Sequence, residues 1–212
     1  MKTKSKKLEE KLKLFILANI FFFFLFMLIN DEEVRMTLLN ISFSLLFLSC
    51  SLFYFRNSYK KLGLNTKNFA KATVFGIFAF ISILFFTIFV EAILDFFGIN
   101  ASTGIEKILS QNFVLILSAV FVSPLCEEMF FRATLIDFFD RSLKNINFSI
   151  ILSAIVFSLF HIGYGSPLEL FGAFVAGIIL GFVYKKSKTL LAPILAHFLY
   201  NFLSISLLIL NF

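Results

Sequence analysis

Of 212 residues, 59% are hydrophobic, 34 are phenylalanine and only 15% are charged, whereas soluble proteins average about 45–50% apolar. So much apolar surface excludes a soluble globular domain and makes lipid the solvent for most of the chain. The formal net charge of +6 sits between apolar runs, where it reads as a topology signal and lipid-headgroup contact rather than a nucleic-acid site.

Seven apolar runs follow in chain order: Leu14–Ile29, Met36–Phe55, Ala72–Ile99, Asn112–Phe138, Phe148–Ile162, Leu168–Tyr184 and Leu190–Leu210. Most approach the 17–25 residues of a spanning helix. None alternates as a barrel strand must. The first ends at Leu28-Ile29-Asn30 without a small-residue cleavage pattern and reads as a retained span. The connections sort by charge. Sixteen of the 19 Lys and Arg fall in the N-terminal tail and the second, fourth and sixth connections. The other side holds Arg35 and Lys107 among acidic residues, and Arg132 lies inside a span. The bias places the N-terminus in the cytoplasm. The expected fold is therefore all-α, a polytopic transmembrane bundle of about seven spans in a bacterial-type cytoplasmic membrane. Residues 1–111 form a basic tail and three spans. The first two carry almost nothing ionisable and are expected to be partly accessory. Residues 112–212 form a core of four spans where the intramembrane polar groups concentrate. Cys50 and Cys126 are far apart and form neither a disulfide framework nor a zinc ribbon.

Within the core, SPLCEEMFFR places Glu127, Glu128 and Arg132 between apolar runs. Each charge near the bilayer centre costs roughly 2.5–3.5 kcal/mol, so something must offset it. Glu128 and Arg132 are four residues apart, share a helix face and are expected to pair. Glu127 lies about 100° round the helix from Glu128 and points elsewhere, toward other helices or a water-filled cavity. Pro124 just upstream removes backbone hydrogen bonding and fits a kink or a cavity. The chain's two histidines both fall in spans, His161 four residues after Phe157 and His197 four residues before Asn201. These groups have two readings: a structural hydrogen-bonding network, or the apparatus of water-mediated amide hydrolysis. In the second, a carboxylate and an imidazole deprotonate water, while an imidazole and an amide stabilise the oxyanion.

EEMFFR, FSLFH and HFLYN fit the motifs E-E-x-x-x-R, F-x-x-x-H and H-x-x-x-N in order. Over roughly residues 112–205 the chain resembles the CPBP family, the CAAX-protease and bacteriocin-processing intramembrane proteases also called the Abi family. The resemblance implies that Glu127 and His161 activate the water and that His197 and Asn201 form the oxyanion hole. It makes Glu128 and Arg132 the supporting pair. It implies no obligatory cofactor. Zinc on Glu127, His161 and His197 stays open, although H-E-x-x-H is absent. The implied substrate is a membrane-bound peptide or a lipidated protein.

One tension accompanies this reading. With these spans His161 lies about 7 Å to the outer side of its helix centre, while Glu127 and His197 lie slightly inward. The four groups converge only if helix tilt absorbs the mismatch, or if the fifth span is shifted inward or breaks early near Gly163, Gly165 and Pro167. Other features read as structural. Ala173, Gly177 and Gly181 allow close helix packing, Glu91 and Asp95 are interfacial, Cys126 is a small core residue, and Asn100 and Asn147 mark helix boundaries. Two rivals remain: a non-catalytic scaffold or bacteriocin-immunity protein of the same fold, and an ion-coupled transporter. The latter is disfavoured because no inverted repeat is evident.

Overall fold

A computed structural model describes residues 2–56, 58–64, 69–98, 112–162 and 167–210, with the backbone only for residues 2–9, 12 and 59. Without water to satisfy backbone groups, a non-alternating apolar chain can only be helical. The described residues accordingly form seven helices and no strand. They are α1 (Lys2–Phe26), α2 (Glu32–Tyr54), α3 (Phe69–Phe96), α4 (Phe113–Leu143), α5 (Ile146–Leu159), α6 (Pro167–Ser187) and α7 (Leu191–Ile209). Side-chain caps fix three starts. Asp31, Asn112 and Asn145 accept hydrogen bonds from the N–H groups of Val34, Leu115 and Phe148. Asn100, Gly163 and Gly165 lie outside the described residues.

The seven helices match the expected number of apolar runs but differ in length. Five helices (α2, α3, α4, α6 and α7) are long and apolar enough to cross a membrane, while Lys13–Phe26 of α1 and the whole of α5 are shorter. The 14 residues of α5 rise about 21 Å, against a hydrocarbon core of about 30 Å. The fourth helix also runs past the expected Phe138 to Leu143. Its last turns are polar and held at the bundle's edge, where Arg141 pairs with Asp137 at 2.8 Å and the Tyr54 hydroxyl donates to the same carboxylate at 2.8 Å.

These boundaries remove the depth mismatch. Only Lys144 and Asn145 join α4 to α5, with Lys144 in the left-handed region at φ 52°, so both helices start from one level. Glu127 lies 16 residues back from Leu143 and His161 15 residues on from Ile146. At 1.5 Å per residue both stand about 22–24 Å above that level.

α4 is the centre of the bundle, packed against α2, α5 and α7; α3 covers α6 and α7, and α1 packs on α2. α5 and α6 approach closely through the small residues of α6. A Cβ on Gly177 would stand 2.9 Å from the Ala154 Cβ, and one on Gly181 2.6 Å from the Ile150 Cγ2. The α6–α7 connection is buried at Ser187, Thr189 and Leu190. It is tied to the Gly63 carbonyl by the Leu190 N–H at 2.9 Å and the Thr189 hydroxyl at 3.0 Å. The outward faces of α1 and α3 expose Leu17, Phe21, Phe24, Phe78 and Phe85. Lipid is the solvent that suits such faces.

Candidate active site

α4 carries the acidic pair on an irregular stretch. Ser118–Val122 and Met129–Leu135 widen to π-helical turns on either side of Ser123–Glu128. Pro124 accounts for the first. Its missing N–H removes one donor, and the Ser123 N–H bonds the Ser118 carbonyl, so the Ala119 carbonyl lacks both its ordinary donors. Asn201 of α7 supplies the replacement, with Nδ2 donating to that carbonyl at 2.9 Å. In the second widened turn the Ser153 hydroxyl of α5 donates to the Phe131 carbonyl at 2.6 Å, and the Thr134 hydroxyl to the Met129 carbonyl at 3.0 Å. Irregular backbone is tolerated inside a membrane when neighbouring side chains re-satisfy it in this way.

Glu128 and Arg132 form the expected pair, Nε to Oε2 at 2.8 Å, with both side chains fully buried. Glu128 has a further partner from α7: its Oε1 lies 2.9 Å from His197 Nδ1. The Arg132 guanidinium stands over the Phe157 ring, 4.8 Å from its centroid. Its Nη1 is the buried side-chain nitrogen without a hydrogen-bond partner among the described residues.

Glu127 turns away from this pair, and its carboxylate lies 3.9 Å from His197 Nε2. The His197 ring thus presents one nitrogen to each glutamate. As an imidazolium it has a proton for both; as a neutral ring it has one. Glu127 also opens into a cleft with about 400 Å³ of empty space, part of it continuous with the surface. Ser123 and Phe131 of α4 line it beside Glu127. Phe157, Phe160 and His161 line it from α5 and its C-terminal end. The His161 Nδ1 bonds the Phe157 carbonyl at 3.0 Å. A carbonyl can only accept, so Nδ1 carries a proton and the neutral ring has its lone pair at Nε2.

The structure therefore gathers Glu127, Glu128, Arg132, His161 and His197 around Phe157. Asn201 shares the His197 face of α7, but its amide is taken up by Ala119 and it does not line the cleft. The third wall comes from α2, through Asn40, Phe43 and Phe47. Sequence reasoning missed Asn40. The signal was a cluster of polar side chains, Asn40, Ser42 and Ser44, inside a run otherwise apolar. Asn40 accepts from the Ser118 and Ser123 hydroxyls, and its Nδ2 lies 3.2 Å from the Ser123 Oγ.

Zinc would have to be held by the Nε2 atoms of His161 and His197, since each Nδ1 is spent on the Phe157 carbonyl or on Glu128. Among the described residues no three His, Cys, Asp or Glu side chains converge as a metal site requires.

Residues 109–203 match the family model of "Type II CAAX prenyl endopeptidase Rce1-like" proteins, in agreement with the CPBP resemblance. That segment, just under half of the chain, holds Glu127, Glu128, Arg132, His161, His197 and Asn201, and in it the chain is similar to the CAAX-type intramembrane proteases. An uncharacterized protein of Mycoplasma capricolum subsp. capricolum is 33% identical over 107 residues, which is 50% of this chain and 30% of that protein's length. No solved structure matches. The described helices are those of a multi-pass membrane protein.

Proposed function

We propose that the protein is an intramembrane endopeptidase that hydrolyses a peptide bond in a membrane-associated peptide or lipidated protein, using water activated by Glu127 and His161. The observation that carries this reading is the shared cleft: a carboxylate and an imidazole of fixed tautomer, brought by α4 and α5 to the same depth. A water between them would donate to the Glu127 carboxylate, with the His161 ring beside it to hold its oxygen in place. Glu127 takes the proton as the water oxygen bonds to the substrate carbonyl carbon. The C–N bond then breaks, and Glu127 returns the proton to the leaving nitrogen. His197 stands behind Glu127, and Glu128 with Arg132 fixes His197; these three position the base. Asn201 holds the widened turn of α4 by its bond to Ala119. Residues 112–212 are the catalytic core in this reading, with α2 as its third wall, and a bacterial cytoplasmic membrane is the proposed location.

The test is cleavage of a farnesylated CAAX peptide and of unlipidated leader peptides by the purified full chain in lipid nanodiscs, read by mass spectrometry. Wild type is expected to cut at one position. Glu127→Gln and His161→Ala are expected to lower the rate at least 10²-fold, the lower end for loss of a general base. A chelator should leave the rate unchanged, because the residues do not assemble a zinc site. A folded wild type that cuts nothing, together with a Glu127→Gln chain that keeps its effect in cells, would instead establish a non-catalytic scaffold or immunity protein.

A further inference from the structure

The cleft beside Glu127 runs between two helices that point the same way. Asn112 at the start of α4 donates to Glu33 at the start of α2 at 2.8 Å, and nearer their far ends the Thr134 hydroxyl donates to that of Ser51 at 3.1 Å. Each helix gives one stripe to the cleft: Ser123, Glu127 and Phe131 from α4, and Asn40, Phe43 and Phe47 from α2. Spacings of three and four keep each stripe on one helix face. The stripes also match end to end. Asn40 Nδ2 lies 3.2 Å from Ser123 Oγ, and the Phe47 and Phe131 rings are 5.0 Å apart. The cleft is thus a trough about 12 Å long, polar at one end and aromatic at the other, with Glu127 midway. Phe157 of α5 and Phe160 just beyond it close the aromatic end, the Phe160 ring 5.1 Å from Phe47 and 5.7 Å from Phe131. Phe47, Phe131 and Phe157 are buried, whereas Phe160 is 40% exposed and is the ring that a ligand entering this end would meet.

We propose that this trough is a specificity subsite for the peptide itself: its aromatic end selects a large apolar side chain next to the scissile bond, and the Asn40 amide at its polar end holds a backbone carbonyl about two residues away. The inference rests on the endopeptidase reading above. It leaves the scissile carbonyl oxygen to the His197 side of Glu127, where the family resemblance implies the oxyanion hole and where Nε2 stands 3.9 Å from the carboxylate. Length favours a peptide. Extended chain rises about 3.3 Å per residue, so the trough takes three to four residues, and each end lies about 6 Å, or two residues, from Glu127. Polarity favours it too. The Ser118 hydroxyl donates to Asn40 Oδ1 and holds the amide; one Nδ2 proton is directed at Ser123 Oγ, and the second is available to a carbonyl in the trough. A peptide backbone satisfies such groups, whereas an isoprenoid chain laid in the same place would bury them unpaired. The selecting wall, α2, lies outside residues 109–203, the segment that matches the family model. Choice of side chain is thereby built on a different helix from the groups proposed for hydrolysis.

The test uses the full chain in nanodiscs and CAAX peptides that carry a farnesyl or a geranylgeranyl group, with Ala, Leu or Phe as the residue after the modified cysteine. Wild type is expected to prefer Leu or Phe to Ala by about 10–10²-fold in kcat/KM, the range for small apolar differences in a pocket. Phe160→Ala enlarges the aromatic end and should shift the preference toward Phe by about 10-fold; Phe160→Trp fills it and should shift the preference toward Ala. Neither should change the ratio between the two lipids. Asn40→Ala should raise KM for every peptide by about 2–10-fold, the worth of one hydrogen bond, with kcat little changed, as loss of uniform binding requires. Ratios within one variant and KM are insensitive to a misfolded fraction. Should a Phe160 variant lose activity altogether, anisotropy-measured affinities of fluorescent forms of the same peptides on the Glu127→Gln background give the same side-chain ratio. Side-chain ratios that stay at the wild-type value in both Phe160 variants overturn the proposal. A shift in the lipid ratio alone also overturns it and makes the trough the isoprenoid's site. A lower kcat in Asn40→Ala with KM unmoved overturns the backbone anchor. In each of these cases cleavage abolished by Glu127→Gln leaves the endopeptidase reading standing. A folded wild type that cuts no peptide removes both.

Discussion

Two adjacent glutamates in one helix have opposite surroundings. Glu128 is fully buried between Arg132 and His197; Glu127 is 19% exposed into a cleft. Glu128→Gln leaves the Arg132 charge uncompensated in the core, and removing one partner of a buried pair costs about 3–5 kcal/mol. Glu127→Gln weakens only the longer contact with His197, 3.9 Å away at the edge of the cleft. The expected outcome is a clear loss of thermal stability in detergent for Glu128→Gln and a near-wild-type melting temperature for Glu127→Gln. Equal melting temperatures would mean that Glu128 and Arg132 are not the structural pair. The separation was legible in sequence, because helix geometry alone sets residues 128 and 132 on one face and 127 off it. The second partner of Glu128 was not, since His197 reaches it from a helix 69 residues later. Nor was the fate of Asn201, which depends on a carbonyl orphaned by Pro124 and on a register that only packing determines.

Helix lengths decide whether the site can form. A sequence of continuous apolar residues shows where a span lies but blurs its ends, because Phe and Leu continue into the interface. The true ends, Leu143 and Ile146, are set by the Asp137–Arg141 pair, the left-handed Lys144 and the Asn145 cap. Moving both inner ends brings His161 level with Glu127. The small-residue row of α6 was legible, and it supports a sharper test. A methyl at Gly181 meets the fully buried Ile150 at 2.6 Å, whereas at Gly172 it meets nothing within 4 Å. Gly181→Ala is expected to destabilise by about 1–3 kcal/mol. Gly172→Ala should be neutral, or stabilising by up to about 1 kcal/mol, through reduced backbone freedom. Melting temperatures of the two variants side by side decide it. A tolerant Gly181→Ala would show that α5 and α6 do not meet at this distance.

At the scale of the whole molecule, charge and fold bear on each other. The basic connections carry 16 of the 19 Lys and Arg. The positive-inside rule predicts a cytoplasmic position for these connections. The described fold puts three of them, the second, fourth and sixth, at one end of the bundle. Lys185 Nζ of α6 reaches Asn147 at the start of α5, 3.1 Å away, and the Gly63 carbonyl, just after the basic turn Tyr59–Leu62, ties down the α6–α7 connection. A common end is what a short α5 needs, since Glu127 and His161 become level only when measured from there. The native cysteines favour a labelling test, because Cys126 is buried and Cys50 half-buried. Single cysteines at Lys61, Arg141 and Lys186 should react with a membrane-impermeant maleimide only in inside-out vesicles, and one at Glu32 only in right-side-out vesicles. Labelling of Lys61→Cys and Lys186→Cys from opposite faces would break the bundle as described. Labelling of all three basic positions from outside would keep the bundle but reverse its orientation in the membrane.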